Sequence, residues 1–124
     1  MNWNFRSDLP IYSQLVELLT RSIVSGHYAP GERLPSVRDL ALQAGVNPNT
    51  MQRAFAELER LELVSSARTA GRFVTEDTER IRQAREKLAQ EQVSEFLKNM
   101  QLLGFSTEES RALLNSYETE DKQA

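Results

Sequence analysis

Polar side chains between positions 47 and 53 could form hydrogen bonds with the edges of nucleic-acid bases. The segment Asn-Pro-Asn-Thr-Met-Gln-Arg offers an amide, hydroxyl or guanidinium group at most of its positions. Asn and Gln amides donate and accept together at adenine, and an Arg guanidinium binds O6 and N7 of guanine. Helix N-termini also attract phosphate through their free N–H groups. The side chains expected to contact DNA here are Asn47, Asn49, Thr50, Gln52 and Arg53.

These residues fall at the start of a predicted helix. Asn47 followed by Pro48 is typical of a helix N-cap and first helical position. An earlier helix is predicted over residues 36–44, capped by Ser36, and Gly45 supplies a tight turn after it. The pair predicts a helix-turn-helix, whose second helix enters the DNA major groove. If residues 47–61 are considered by themselves, an ordinary polar helix end is the alternative to a DNA-contacting helix. The apolar face of the later helix is formed by Met51, Ala54, Phe55, Leu58 and Leu61.

A β-hairpin is predicted directly after the two helices. Residues 63–66 and 72–75 carry Val, Phe and Thr around an Arg-Thr-Ala-Gly turn, and Arg33 and Leu34 are expected to add a short edge strand. Such a hairpin is the wing of a winged helix-turn-helix. An arginine on a turn of small residues can enter the minor groove, where its binding depends on the width and negative potential of the groove. The alternative is a hairpin turn that contacts only solvent. The wing residues expected to contact DNA are Arg68, Thr69, Gly71 and Arg72.

A helical tail follows the hairpin. Asp77 is the expected N-cap of a helix over residues 78–103, and Ser106-x-x-Glu109 is a capping box for a last helix through about Tyr117. The long helix has an apolar stripe with little in its own chain to cover it, and such a helix is marginal alone. We therefore expect a two-fold homodimer; a tail folded back on its own domain is the alternative. The expected interface residues are Ile81, Leu88, Val93, Phe96, Leu97, Met100 and Leu103.

Composition limits the function classes open to the chain. Its 124 residues include no Cys and only one His, His27, so a thiolate zinc site and a thiol nucleophile are excluded. Glu57, Glu59 and Glu62 have helical spacing and are interpreted as a solvated face. We predict no enzyme, no catalytic residue, no metal and no cofactor. No run approaches the ~18 apolar residues of a membrane span, and the N-terminus lacks a signal-peptide pattern, which favours a cytoplasmic protein with no membrane partner.

Charge is distributed unevenly along the chain, although the net value is −3. Residues 1–75 carry eight Arg and seven acidic residues, a net charge of +1, whereas residues 76–124 have a net charge of −4. This charge distribution is compatible with DNA binding but does not by itself indicate it. The predicted fold class is mainly α with a small β-hairpin. It comprises a winged helix-turn-helix DNA-binding domain at 8–76, a two-helix dimerisation region at 77–117 and a disordered tail at 118–124.

Four spaced motifs occur in order between positions 34 and 74. They are Leu34-Pro35-Ser36-x-Arg38-x-Leu40-Ala41, Gly45-Val46-Asn47-Pro48-Asn49-Thr50, Arg53-Ala54-x-x-x-Leu58-Glu59 and Gly71-x-Phe73-Val74. On these motifs the sequence resembles the GntR family of bacterial transcription regulators, and its short tail resembles the YtrA subfamily. The resemblance implies that Ser36 and Arg38 bind backbone phosphate. It also implies control of ABC-transporter genes by repression.

Two residues depart from the family pattern. Glu62 stands where Gly is usual, so the second helix is expected to end differently, and Thr69 replaces a wing glycine, which leaves the depth of wing insertion open. Our leading hypothesis is a dimeric repressor that binds a palindromic operator in double-stranded DNA. A protein-interaction module without DNA readout is the alternative. No residue identifies a small-molecule effector, so effector control stays open.

Overall fold

The computed structural model describes residues 1–67 and 70–123 and gives side chains up to residue 118. Its elements are α1 (Ile11–Val24), α2 (Val37–Ala44), α3 (Pro48–Arg60), β1 (Val64–Ala67), β2 (Gly71–Val74), α4 (Thr78–Leu102) and α5 (Thr107–Gln123). The strands pair as an antiparallel hairpin. This order confirms the predicted fold class, a mainly helical chain with a small hairpin after a helix-turn-helix.

The chain divides into two compact units, Met1–Arg85 and Glu86–Ala124. In the first unit α3 packs against both α1 and α2. An amphipathic helix of this length owes most of its stability to such packing, because the isolated helix is marginal in water. The core residues are Leu15, Leu19, Ile23, Tyr28, Leu34, Leu40, Ala41, Met51, Ala54, Phe55, Leu58, Leu63, Val64, Val74 and Ile81.

Local capping explains where α2 and α3 begin. The Ser36 hydroxyl accepts a hydrogen bond from the Asp39 backbone N–H at 3.0 Å, and the Asn47 side-chain oxygen accepts one from the Asn49 N–H at 2.7 Å. Each bond satisfies a donor that the helix itself leaves unpaired. Gly45 ends α2 with a left-handed φ of 69°. These bonds confirm both predicted caps and the tight turn between the helices.

The end of α3 differs from the expectation raised by Glu62. Glu62 adopts a left-handed φ of 62°, and the Leu63 N–H donates to the Leu58 carbonyl at 3.0 Å. The helix therefore closes as it would with glycine at this position. Arg80 Nη2 donates to the Glu62 carboxylate at 2.5 Å, an interaction that glycine could not make. The expected change in the helix end was wrong.

The hairpin has a third, very short edge strand. Val64 pairs with Val74 across the hairpin, and an isolated bridge joins Arg33 to Phe73. The Leu34 N–H donates to the backbone of β2 at 2.8 Å. These contacts confirm the expected edge strand, which connects the loop before α2 to the hairpin.

The second unit contains the later part of α4 and all of α5. The Ser106 N–H donates to the Glu109 carboxylate at 3.0 Å and the Glu109 N–H donates to the Ser106 hydroxyl at 3.1 Å. This reciprocal pair confirms the predicted capping box. The helix then continues to Gln123, beyond the end expected near Tyr117. None of the helices within the described residues has the length and hydropathy needed to span a membrane.

Candidate nucleic-acid interface

The first turns of α3 separate buried apolar side chains from exposed polar ones. Asn49, Gln52 and Arg53 are exposed, while Thr50 is half-buried. The residues behind them that are buried in the core are Met51, Ala54, Phe55 and Leu58. Because the buried face fixes the helix, the exposed side chains project from a rigid base. Their amide and guanidinium groups are the types that hydrogen-bond base edges in the major groove.

Arg53 contacts the first helix as well as solvent. Its guanidinium carbon lies 4.6 Å from the centroid of the Tyr12 ring. A guanidinium over an aromatic face is held by the ring quadrupole, while its N–H groups stay available at the edge. The ring contact therefore restricts the orientations that Arg53 can offer to a base. No pattern in the sequence indicates that Tyr12 is part of this site.

The start of α2 supplies a second group of donors. Ser36 and Arg38 are both exposed. The Ser36 oxygen accepts the capping bond from Asp39, so its own O–H remains a donor for phosphate. Asn47 is similar, because its side-chain oxygen caps α3 and its NH₂ group can still donate. These positions are compatible with the phosphate contacts that the family resemblance implies for Ser36 and Arg38, and with the DNA contact expected of Asn47.

Arg72 does not occupy the position expected of a wing-turn arginine. It lies on β2, and its Nε donates to the Glu59 carboxylate at 3.0 Å. Its guanidinium carbon is 5.4 Å from the centroid of the Phe55 ring, and its side chain is only 27% exposed. Side chains alternate between the two faces of a strand, and Arg72 falls on the face towards α3. Gly71 is exposed, whereas Arg68 and Thr69 lie outside the described residues.

Glu59 joins both strands of the hairpin to α3. The Ser66 hydroxyl donates to its carboxylate at 2.5 Å, beside the bond from Arg72. The hydrogen bond from Ser66 lowers the pKa of Glu59, the Arg72 guanidinium lowers it further, and partial desolvation opposes both. Glu59 is therefore ionised at neutral pH, and it connects both strands of the hairpin to α3.

The carboxylates interpreted as a solvated face are partly or fully exposed, and each of them also has a hydrogen-bonded partner. Glu57 accepts two hydrogen bonds from Arg60, Glu59 binds the hairpin, and Glu62 binds Arg80. Only the Glu57 pair follows helical spacing, at a separation of three residues. The partners of Glu59 and Glu62 lie beyond α3, so the spacing of residues along one helix does not indicate them.

The residues expected at a dimer interface fall into three groups. Ile81 is buried in the core of the first unit, so its burial needs no second chain, which corrects the expectation for this residue. Val93, Phe96 and Leu103 have exposed fractions of 57%, 41% and 72%. The half-buried members of the set are Leu88, Leu97 and Met100. Outside the predicted set, other apolar side chains of the second unit are also exposed, among them Leu113 and Leu114.

Comparison with known proteins agrees with this architecture. The family model for bacterial regulatory proteins of the gntR family matches residues 11–74. The uncharacterized HTH-type transcriptional regulator YhcF of Bacillus subtilis is 40% identical over 109 residues, covering 88% of this chain and 90% of that protein. The HTH-type transcriptional repressor YtrA of Bacillus subtilis is 39% identical over 72 residues, covering 58% of this chain and 55% of that protein.

A solved structure matches nearly the full length. A GntR family transcriptional regulator from Listeria monocytogenes has a TM-score of 0.83 at 39% identity, covering 90% of this chain and 98% of that chain. The helix-turn-helix, the hairpin and the polar start of α3 define a winged helix-turn-helix DNA-binding domain. The chain belongs to the GntR family of bacterial transcription regulators. It is a DNA-binding regulator and not an enzyme.

Proposed function

We propose that this chain is a dimeric repressor that binds a palindromic operator in double-stranded DNA. The observation that carries the proposal is the division of α3 into a buried apolar face and an exposed N-terminal polar face. Asn49, Gln52 and Arg53 would contact base edges, with the half-buried Thr50 beside them. Ser36, Arg38 and Asn47 would contact phosphates and set the register of α3 in the groove.

Exposed apolar side chains in the second unit support the dimer. Val93, Phe96 and Leu103 are large, exposed and carried on α4. Removing such surfaces from water contributes about 25 cal/mol for each Å² of apolar area. A second copy of the chain is the occupant we propose, because it offers the same apolar surface and both copies are then covered in one step.

A two-fold dimer has a consequence for the DNA sequence. Two recognition helices related by a two-fold axis contact half-sites about 34–36 Å apart, or one helical turn of DNA. The half-sites must then be inverted repeats of each other. This geometry is the reason for proposing a palindromic operator.

Repression and the regulated genes rest on similarity. The Bacillus subtilis relative YtrA is described as a repressor, and a protein bound across a promoter would exclude RNA polymerase. The resemblance to the YtrA subfamily makes ABC-transporter genes the first targets to test. A role on the chromosome would place the protein in the cytoplasm. Whether a small effector alters the affinity for the operator is for experiment to decide.

A DNase I footprint on DNA upstream of the chain's own gene, with genomic selection in parallel, tests the proposal. We expect a bounded protected region that contains an inverted repeat. Arg53→Ala is the matched variant, and it should lose the footprint at protein concentrations that still retard random DNA. Absence of any selected site would contradict the proposal and favour the protein-interaction module. Protection of a single half-site would contradict the dimeric arrangement but not DNA binding.

A further inference from the structure

We propose that Arg33 is a further DNA-contacting residue, which binds a backbone phosphate beside the turn of the wing, while Arg72 holds the wing against α3. The assignment rests on the proposed operator-binding function. It exchanges the roles expected from the sequence, in which Arg72 contacts DNA and Arg33 is only part of an edge strand.

The backbone around Arg33 is held firmly against β2. Arg33 forms the isolated bridge with Phe73. On one side the Val74 N–H donates to the Glu32 carbonyl at 2.9 Å, and on the other the Leu34 N–H donates to β2 at 2.8 Å. A side chain on such a backbone starts from a defined position, unlike one on an unsupported loop.

The side chain of Arg33 lies along Gly71 at the start of β2. A Cβ atom built on Gly71 would be 3.2 Å from Arg33 Nε, 3.5 Å from its Nη2 and 3.7 Å from its Cζ. Gly71 has a φ of +96°, so glycine both suits this backbone and leaves room for the guanidinium. Arg33 therefore places a positive charge beside the hairpin turn.

Arg33 and Arg72 differ in their partners. Within the residues that the structure describes, no carboxylate forms an ion pair with Arg33, whereas Arg72 pairs with Glu59. Arg33 is also exposed, while Arg72 lies over the Phe55 ring. Binding of phosphate by Arg72 would first require the loss of its existing ion pair. Arg33 carries no such cost.

The position of Arg33 in the chain connects it to the start of α2. It precedes Ser36, the α2 N-cap, by three residues, and extended chain spans at most about 3.6 Å per residue. The Cα atoms of Arg33 and Ser36 therefore lie within about 11 Å of each other. Arg33 thus falls between the α2 start and the wing, the two parts expected to contact the DNA backbone. A planar guanidinium binds two phosphate oxygens at once.

The experiment measures the operator affinity of the full chain as a function of salt. Neutralising one phosphate contributes about −0.9 to the slope of log K against log salt. Arg33→Gln should therefore reduce the slope by about 0.9 on operator and random duplex alike. The factor by which Arg33→Gln binds the operator more weakly than wild type should shrink about 3.5-fold between about 50 and 200 mM salt. Arg72→Gln should leave the slope unchanged, since that charge is already paired.

Two further variants keep the result interpretable. Arg21→Gln removes an exposed α1 arginine that pairs with Glu17, and it is the charge-matched control with an unchanged slope. Arg33→Lys keeps the charge and should restore most of the slope. Thermal unfolding of each variant establishes that the protein is folded, so that slopes are compared among folded proteins.

Each outcome decides between the assignments. An unchanged slope for folded Arg33→Gln would overturn the phosphate contact. A slope reduced by Arg72→Gln as much as by Arg33→Gln would overturn the division of roles between the two arginines. A wild-type chain that binds no duplex at all would instead overturn the proposed function, and the inference with it.

Discussion

The guanidinium of Arg53 lies over the ring of Tyr12, 4.6 Å from the ring centroid, and so joins α3, the helix expected to enter the major groove, to the start of α1. Arg53 is one of the side chains expected to bind a base edge. A base contact depends on the direction of the guanidinium, because bidentate hydrogen bonds need both donors in the plane of the base. We therefore expect Tyr12 to act on operator binding through Arg53, as a positioning residue.

The Tyr12 contact predicts graded effects on operator binding. Arg53→Ala should cost about 1–3 kcal/mol on the operator and much less on random DNA. Tyr12→Leu should cost about 0.5–1 kcal/mol on the operator, the range for an exposed cation–π contact, whereas Tyr12→Phe keeps the ring and should bind nearly as wild type. Fluorescence anisotropy on both duplexes measures these differences. Equal losses on operator and random DNA would contradict a base contact for Arg53.

Charge placed on the apolar stripe of α4 should prevent dimerisation. Leu88→Asp combined with Phe96→Asp puts two carboxylates where we expect apolar contact, and an unpaired buried charge is strongly unfavourable. Sedimentation equilibrium should then give the monomer mass. Gln90→Asp with Gln101→Asp adds the same charge at two exposed polar positions of the second unit and should remain dimeric. An unchanged mass for the first variant would remove Leu88 and Phe96 from the interface.

Acid should weaken the connection between the wing and α3. The hydrogen bond from Ser66 and the Arg72 guanidinium hold the pKa of Glu59 below its ordinary value of 4.5. A carboxyl group with a lowered folded-state pKa stabilises the fold fully above that ordinary value, and the stabilisation is lost as pH falls below it. The effect should stay below about 1 kcal/mol, because solvent screens a partly exposed pair.

The measurement is the free energy of unfolding of wild type and Glu59→Gln between about pH 7 and pH 3, by urea denaturation. The difference between the two proteins should be constant near neutral pH and should close below about pH 4.5. Glu91→Gln removes an exposed α4 carboxylate and is the charge-matched control. A difference in the free energy of unfolding that persists undiminished to pH 3 would show that protonation of Glu59 is not what weakens its contacts with Ser66 and Arg72.

Glycine at position 62 should raise stability. The left-handed backbone of Glu62 costs a residue with a side chain about 1–2 kcal/mol, while its exposed pair with Arg80 contributes about 0–1 kcal/mol. The free energy of unfolding of Glu62→Gly should therefore be about 0–2 kcal/mol higher than that of wild type. Glu62→Ala loses the pair and keeps the backbone cost, so it should be no more stable than wild type. A Gly variant less stable than wild type would mean that the Arg80 pair outweighs the strain.

Most of the fold could be predicted from the sequence because its signals act over short distances. Ser36 and Asn47 cap helices through backbone groups two or three residues away, and Ser106 and Glu109 cap each other within one turn. Helical periodicity likewise identified the face of α3 that is buried. Such interactions involve neighbouring positions of the chain, so their residue types and spacing are sufficient to recognise them.

The tertiary structure decided which charged and aromatic side chains meet. Arg72 reaches Glu59 across 13 residues and Arg80 reaches Glu62 across 18, while Tyr12 meets Arg53 only because α1 packs on α3. Each side chain had several partners of suitable charge, and the sequence could not rank them, since the choice depends on how helices and strands are placed in space. The sequence by itself determined the elements, their caps and the polar start of the recognition helix. Which arginines are held against the protein, and which stay exposed without an ion pair among the described residues, followed only from packing.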